Sequence, residues 1–209
     1  AIDVAALHAA NLDVSVTAEK IIYDQWILDN VQADVALNNG RLTLSPIAAQ
    51  AFGGAMDMRM VVDAAQTGQP VRVEQKMTFT DIQVGPLLRA LTKQRKDSLT
   101  GVGSLMLDIR GEGISTSALV FSLAGNGRLQ MADPVLHGMD LERLDNTLKD
   151  MNSSNILSSL MGSVNSALGG GQTAFKPIDH SFTIAQGTLT LNNFTLETEG
   201  ETGQIITNG

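Results

Sequence analysis

The chain has 209 residues, 43% hydrophobic and 17% charged, a balance that belongs to folded proteins and not to the low-hydrophobicity, high-charge compositions that stay disordered. Fourteen Lys plus Arg against twenty-two Asp plus Glu leave a net charge of -8, so this surface repels a nucleic-acid backbone and no nucleic-acid partner is expected. The absence of Cys removes disulfides, thiolate metal sites and Cys nucleophiles at once and fits cytosol or envelope alike.

The first segment, AIDVAALHAANLDVSV, has neither a basic flank nor a long apolar stretch, and no window approaches eighteen apolar residues, so no signal peptide or membrane anchor is visible. The chain starts without Met and ends in TGQIITNG, which reads as a strand beginning to pair; a single domain or a fragment of a longer chain is expected over residues 1–209. Strands are expected near 21–28, 31–37, 41–51 and 55–63. In the last of these, Met56, Met58, Met60 and Val62 alternate with Asp57 and Arg59. The next, 71–80, sets Val71, Val73, Gln75, Met77 and Phe79 against Arg72, Glu74, Lys76, Thr78 and Thr80, the pattern of an antiparallel strand with one wet face.

The period then changes. Val84, Leu87, Leu88 and Leu91 share a helical face, with Pro86 in the first turn and Lys93, Arg95 and Lys96 near the C-terminal end, where the helix dipole favours cations. An amphipathic helix is expected near 83–95. Strands resume at 103–110, where Leu105, Leu107 and Ile109 oppose Asp108 and Arg110 after a frame step at Met106, at 118–124 on Leu119, Phe121 and Leu123, and at 127–132. Residues 139–168 read as a helix pair or broken helix. Leu141, Leu144, Leu148 and Met151 are spaced for one face, Ser153-Ser154-Asn155 interrupts, and Ile156 to Leu168 continues. GGGQTAFKP, 169–177, is the linker candidate, followed by strands at 181–185 and 188–197.

Asn38-Asn39-Gly40, Gly125-Asn126-Gly127 and Gln186-Gly187 supply the positive φ of tight hairpins. Around them an apolar strand, a Gly turn and a second apolar strand recur: ALNNGRLTL, SLAGNGRLQM, TIAQGTLTL. The expected fold is mainly β with a few helices (α+β), a curved antiparallel sheet of repeated hairpins, groove-like or partly closed. A sheet of about ten strands is about 48 Å across and a helix only about 10 Å wide. Such a sheet either closes on itself as a self-filled core or curves into a groove whose apolar face takes a guest.

No constellation implies catalysis. His8, His137 and His180 are far apart and lack metal-ligand spacing. Ser104 lies in a strand pattern without a nucleophile elbow, and Gly169 to Gly171 are not followed by the Lys-Ser/Thr of a phosphate loop. Glu112, or Glu197, Glu199 and Glu201, lack the alternating oxygen ligands of a calcium loop; no metal and no cofactor is expected. What remains is the apolar face, softened by Met56, Met58, Met60, Met77, Met106 and Met131, whose flexible thioethers suit variable contents.

VQADVALNNGRLTLSPIAAQAFGG (Val31 to Gly54), DIQVGPLLRAL, LTGVGSLMLDIRGEG (Leu99 to Gly113) and LAGNGRLQMADPVLHGMDL (Leu123 to Leu141) together resemble the C-terminal region of the AsmA family, part of the AsmA/TamB-like superfamily. Pro134 stands where that family usually has Gly after the Asp, which stiffens the expected turn. The resemblance implies a non-enzymatic protein of the Gram-negative envelope, periplasmic in bulk and anchored to the inner membrane by a helix absent from this sequence. It implies support of outer-membrane assembly and movement of phospholipid, or another acyl-chain lipid, along a hydrophobic β groove, with envelope proteins as further partners. By analogy the lipid-facing wall is Met56, Met58, Met60, Val62, Val73, Met77, Phe79, Leu105, Leu107, Ile109, Leu119, Phe121 and Leu123. The alternative from another class is a scaffold or assembly factor with a self-filled core, binding partners by strand pairing at an open edge.

Overall fold

The computed structural model describes residues 2–66, 68–93, 97–138, 170–191, 194–199 and 204–207. The helical segment expected at 139–168, together with Arg95, Lys96, Gly169 and Glu201, lies outside them. A single-turn helix α1 (Ala5–His8) leads into β1 (Leu12–Tyr23), β2 (Trp26–Asn38), β3 (Arg41–Ala51), β4 (Gly54–Asp63) and β5 (Val71–Gln83). Then come α2 (Val84–Thr92), β6 (Leu99–Gly113), α3 (Thr116–Ser122), β7 (Ala124–His137), β8 (Gln172–Ala174), β9 (Ile178–Ala185) and β10 (Thr188–Leu191). β11 (Phe194–Glu197) and β12 (Gln204–Thr207) pair with each other in a separate two-stranded sheet.

The main sheet has ten strands, all antiparallel, in the order β1-β2-β3-β4-β5-β6-β7-β9-β10, with β8 added beside β7. It does not close: β1 and β10 are its two edges. A sheet closed on itself, which the strand pattern also allowed, is therefore not the one formed. Asn39-Gly40 and Gln186-Gly187, all at positive φ, turn the hairpins where expected, and Phe52-Gly53 turns a third. Phe52, a bulky residue at φ 52, is held there by rings: Trp26 lies edge-on at 5.1 Å and Phe79 at 6.4 Å between centroids. Cross-strand register is continuous between β4 and β5, shifts in mid-strand at β3, between Ala33 and Val35 and between Leu44 and Ile47, and shifts again near one end, between Asp29 and Gln32, Phe79 and Ile82, and Thr100 and Val102. Asn30, Asp81 and Gly101 take up the positive φ at the bulges near that end, which bend the strands locally.

That end carries the core. Val31, Ala49, Ala51, Met56, Phe79, Ile82 and Leu87 form one buried cluster, Leu87 coming from α2. A second, Val84, Met131 and Ile178, continues it beneath the same helix. α2 ends earlier than expected, at Thr92, because Lys93 turns left-handed (φ 57) and donates its N–H to the Arg89 carbonyl at 2.8 Å; Leu91, assigned to the packed face, is 61% exposed.

Five expectations need correcting. The strand expected at 118–124 is helix α3: Ser115 caps it, its hydroxyl accepting the Ala118 N–H at 3.2 Å, so the alternation of Leu119, Phe121 and Leu123 is accidental. The strand at 21–28 is two strands around a turn at Asp24 (φ 54), and β1 begins at Leu12. Gly125-Asn126-Gly127 is no turn; it lies at the start of β7, paired with β6 on one side and β9 on the other. Its glycines permit close approach, since a Cβ on Gly125 would fall 2.1 Å from the Asp108 carbonyl oxygen and one on Gly127 2.2 Å from the Phe182 ring. Asp133-Pro134 likewise lies inside β7, with Asp133 at φ 48, Pro134 fully buried and its carbonyl accepting the Phe175 N–H at 2.8 Å. Within the stretch read as a linker, Gln172–Ala174 is β8 and Phe175 is buried at 2% exposure.

Gly125→Ala is expected to cost about 2 kcal/mol in denaturant unfolding, because the obstructing atom is paired backbone and the strands must separate. Gly170→Ala, which meets open space, should stay within about 0.5 kcal/mol. Equal costs would contradict the placement of Gly125 inside the sheet.

Candidate lipid-binding face

Residues directly opposed across an antiparallel pair point to the same side of the sheet, so the register lists the two faces without ambiguity. Leu42, Val62 and Val73 form one row; Leu44, Met60, Gln75 and Ile109 the next; Ile47, Met58, Met77 and Leu107 a third; Ala49, Met56, Phe79, Leu105 and Leu129 a fourth. The rows extend to the first edge through Leu37, Val35 and Ala33 on β2 and Leu12, Val14 and Val16 on β1. Toward the other edge they reach Phe182 and Ile184 on β9 and Leu189 on β10. Ten of the thirteen residues assigned to a lipid-facing wall, Met56, Met58, Met60, Val62, Val73, Met77, Phe79, Leu105, Leu107 and Ile109, thus share one face. Leu119, Phe121 and Leu123 do not belong to a strand of it: Leu119 and Phe121 are in α3, Leu123 follows it, and Phe121 is 66% exposed.

The helices define where the face is open. α2 covers Met56, Phe79 and Ile82, while α3 crosses the opposite end, where a Cβ on Gly111 or Gly113 would meet Leu119, Ser122 and Leu123. Between them Met58, Met60, Val62, Val73, Met77, Leu105, Leu107 and Ile109 are only half-buried, and Leu12, Val14 and Val16 at the β1 edge are exposed. Among the described residues no second layer packs over this stretch. Its extent across nine strands is about 38 Å at about 4.8 Å per spacing, and along a strand, from Val73 to Met77, about 13 Å. A bilayer leaflet holds its acyl chains in about 15 Å of hydrocarbon, so a chain of that length fits across its strands.

The reverse face is wet. Lys20 pairs with Asp29, Arg41 with Asp63, Arg72 with Glu112, Lys76 with Asp108 and Arg128 with Asp179, each across adjacent strands. Exposed pairs of this kind add at most about 1 kcal/mol each, so they help fix register and keep the face in water more than they hold the fold. Met106, counted with the softened interior, points to this side, opposite Thr78 and Arg128, and is 48% exposed. A concavity of about 520 Å³ also opens here around Lys76, Met106, Asp108, Asn126, Arg128 and Ser181. Its charges neutralise one another in pairs, so the physical case for a site rests on the apolar face and not on this depression. Arg128 grips Asp179 through two bonds of 2.7 and 2.6 Å, and Gln130 adds one of 3.1 Å. Those bonds, Arg128's first, lower the Asp179 carboxyl to about 2 and raise the Arg128 guanidinium.

The remaining polar candidates are dispersed. His8 Nε2 lies 2.9 Å from the Ala64 carbonyl oxygen, His137 Nε2 2.8 Å from the Thr100 hydroxyl, and His180 opposes Leu129 on the sheet. Ser104 accepts the Asp81 N–H, while Glu112 and Glu197 pair with Arg72 and Lys176. Among the described residues no group of three or more His, Asp or Glu is arranged for a metal ion, and no helix is long and apolar enough to cross a membrane. The residue that sequence reasoning passed over is Gln75, the polar member of an apolar row, visible as the break in the alternation from Val71 to Phe79.

A model of the AsmA family matches residues 2–194. This chain belongs to the AsmA family. Membership brings with it a general association with the cell envelope and lipid-related function in a family that is generally non-enzymatic. Searches of curated proteins and of solved structures find no match.

Because folding lowers the Asp179 carboxyl from 3.8 to about 2, its contribution to stability is complete above 3.8 and disappears as the pH falls toward 2. NMR titration should place this carboxyl near 2, and Arg128→Gln should raise it toward 3.8; an ordinary value in the unaltered protein would contradict the assigned grip.

Proposed function

We propose that this AsmA-family chain holds phospholipid, or another acyl-chain lipid, by its apolar sheet face, and so supports phospholipid transport and outer-membrane homeostasis without catalysis. In this reading it works in the periplasm of a Gram-negative envelope, as part of a protein anchored to the inner membrane. The observation that carries it is the run of opposed apolar rows from β1 to β10, open between α2 and α3 and backed by a charged face. Area does the binding. Each buried methylene contributes about 0.8 kcal/mol, so a chain lying along the rows is held without a specific headgroup contact. The thioethers of Met58, Met60 and Met77 adapt to its path.

A second reading, a scaffold that captures a partner strand, draws support from β1 alone. Its twelve residues form an edge with Leu12, Val14 and Val16 exposed along it, a template for strand addition to another envelope protein.

Native mass spectrometry of the chain purified without detergent, followed by lipid extraction and with an unrelated β protein prepared alongside, is expected to find stoichiometric phospholipid; a clean apo mass would contradict the lipid reading. Met60→Glu should lower lipid occupancy about tenfold while moving the thermal midpoint by no more than about 4 °C. Met56→Glu, beneath α2 at 7% exposure, should unfold the protein. Unfolding by Met60→Glu would show that position to be closed core.

A further inference from the structure

β5 is the fifth of the nine strands along the sheet, and Gln75 is midway between Val71 and Phe79 on it. Its side chain therefore stands at the centre of the apolar face, between Met60 on β4 and Ile109 on β6. Its amide nitrogen points to sulfur, 3.4 Å from Met58 Sδ and 4.0 Å from Met77 Sδ. A thioether is a weak acceptor, so an amide offering two N–H groups in an apolar, half-buried wall is poorly satisfied, and such a group gains most from a carbonyl brought to it.

The geometry narrows what can bring one. A peptide strand adds at a sheet edge, four strands away from Gln75 on either side, where its carbonyls serve the ladder. A helix laid on the face presents side chains, because its own carbonyls are bonded within the helix. A plain hydrocarbon has no acceptor. A ligand that is apolar over most of its length but carries a carbonyl between its apolar part and its head is an ester-linked acyl lipid. We propose that Gln75 is a specificity-determining residue that donates its amide N–H to the ester carbonyl of such a lipid and sets how far the chain lies along the face. This rests on the lipid reading above and adds to it a polar contact at a fixed depth.

The test offers the full chain an equimolar mixture of dioleoyl phosphatidylethanolamine and its dialkyl ether analogue, which share headgroup and chain length but differ in the carbonyl, and reads the bound ratio by native mass spectrometry. One neutral hydrogen bond corresponds to about fivefold, so the unaltered protein should hold about five diester molecules for each diether. Gln75→Leu and Gln75→Met should bind both lipids at a ratio near one. Glu74→Gln, on the charged face, should keep the preference. Equal binding of the two lipids by the unaltered protein, or a preference surviving in both Gln75 variants, would overturn the role of Gln75 while leaving the apolar face as a lipid site. Binding of neither lipid would overturn the lipid reading and this inference with it.

Discussion

The constraint on which the rest depends is the two-residue period of paired strands. Once Met58 faces Met77 and Met77 faces Leu107, every second residue along β4, β5 and β6 is committed to the same side, and a slip of one residue would put the methionines in water and the ion pairs in the apolar face. The cross-strand pairs on the reverse side reinforce that choice. Lys76 reaches Asp108 and Arg72 reaches Glu112 only in this register, so charge and hydrophobicity select one pairing even though each exposed pair adds little to stability.

Bulges then divide the face into a closed end and an open one. Asn30, Asp81 and Gly101 interrupt the period near one end of their strands, and beyond the interruption Ile82 joins Phe79 and Leu87 in the buried cluster, with Trp26 and Phe52 packed against it. α2 completes the closure there. At the far end glycine has the corresponding part, because a Cβ at 113 would fall 2.4 Å from the Leu119 backbone nitrogen and one at 111 would crowd Leu119, Ser122 and Leu123, so the two glycines let α3 lie close to β6. Folding stability is thus concentrated at the α2 end, where Met56, Phe79 and Ile82 are removed from water, and the rows between the helices are left half-buried. That division reconciles a stable domain with an apolar surface.

Much of this was legible in the residues. The bounds of β3 and β4, the wet and dry faces of β5, the helix at Val84 and the Asn39-Gly40 turn all follow from short-range pattern, because each depends on alternation or a turn dipeptide. What was not legible depends on neighbours distant in sequence. Gly125 and Gly127 look like a turn until the Asp108 carbonyl and the Phe182 ring are seen to press on them. The alternate spacing of Leu119, Phe121 and Leu123 fits a strand, yet the Ser115 cap and the glycines at 111 and 113 favour a helix docked on β6. β1 was missed although Leu12, Val14, Val16 and Ala18 alternate with Asp13, Ser15, Thr17 and Glu19, because alternation beside a polar face of small residues is a weak signal until β2 pairs with it.

The central claim, that acyl chains lie on one face of this sheet and not the other, is tested most directly by site-specific photo-crosslinking to phospholipid. A photoreactive side chain is placed in turn at Met60 and Leu107 on the apolar face and at Glu74 and Asp108 on the charged face. The account predicts lipid adducts at Met60 and Leu107 with none above background at Glu74 and Asp108. Equal labelling of the two faces, or labelling confined to the charged one, would contradict it.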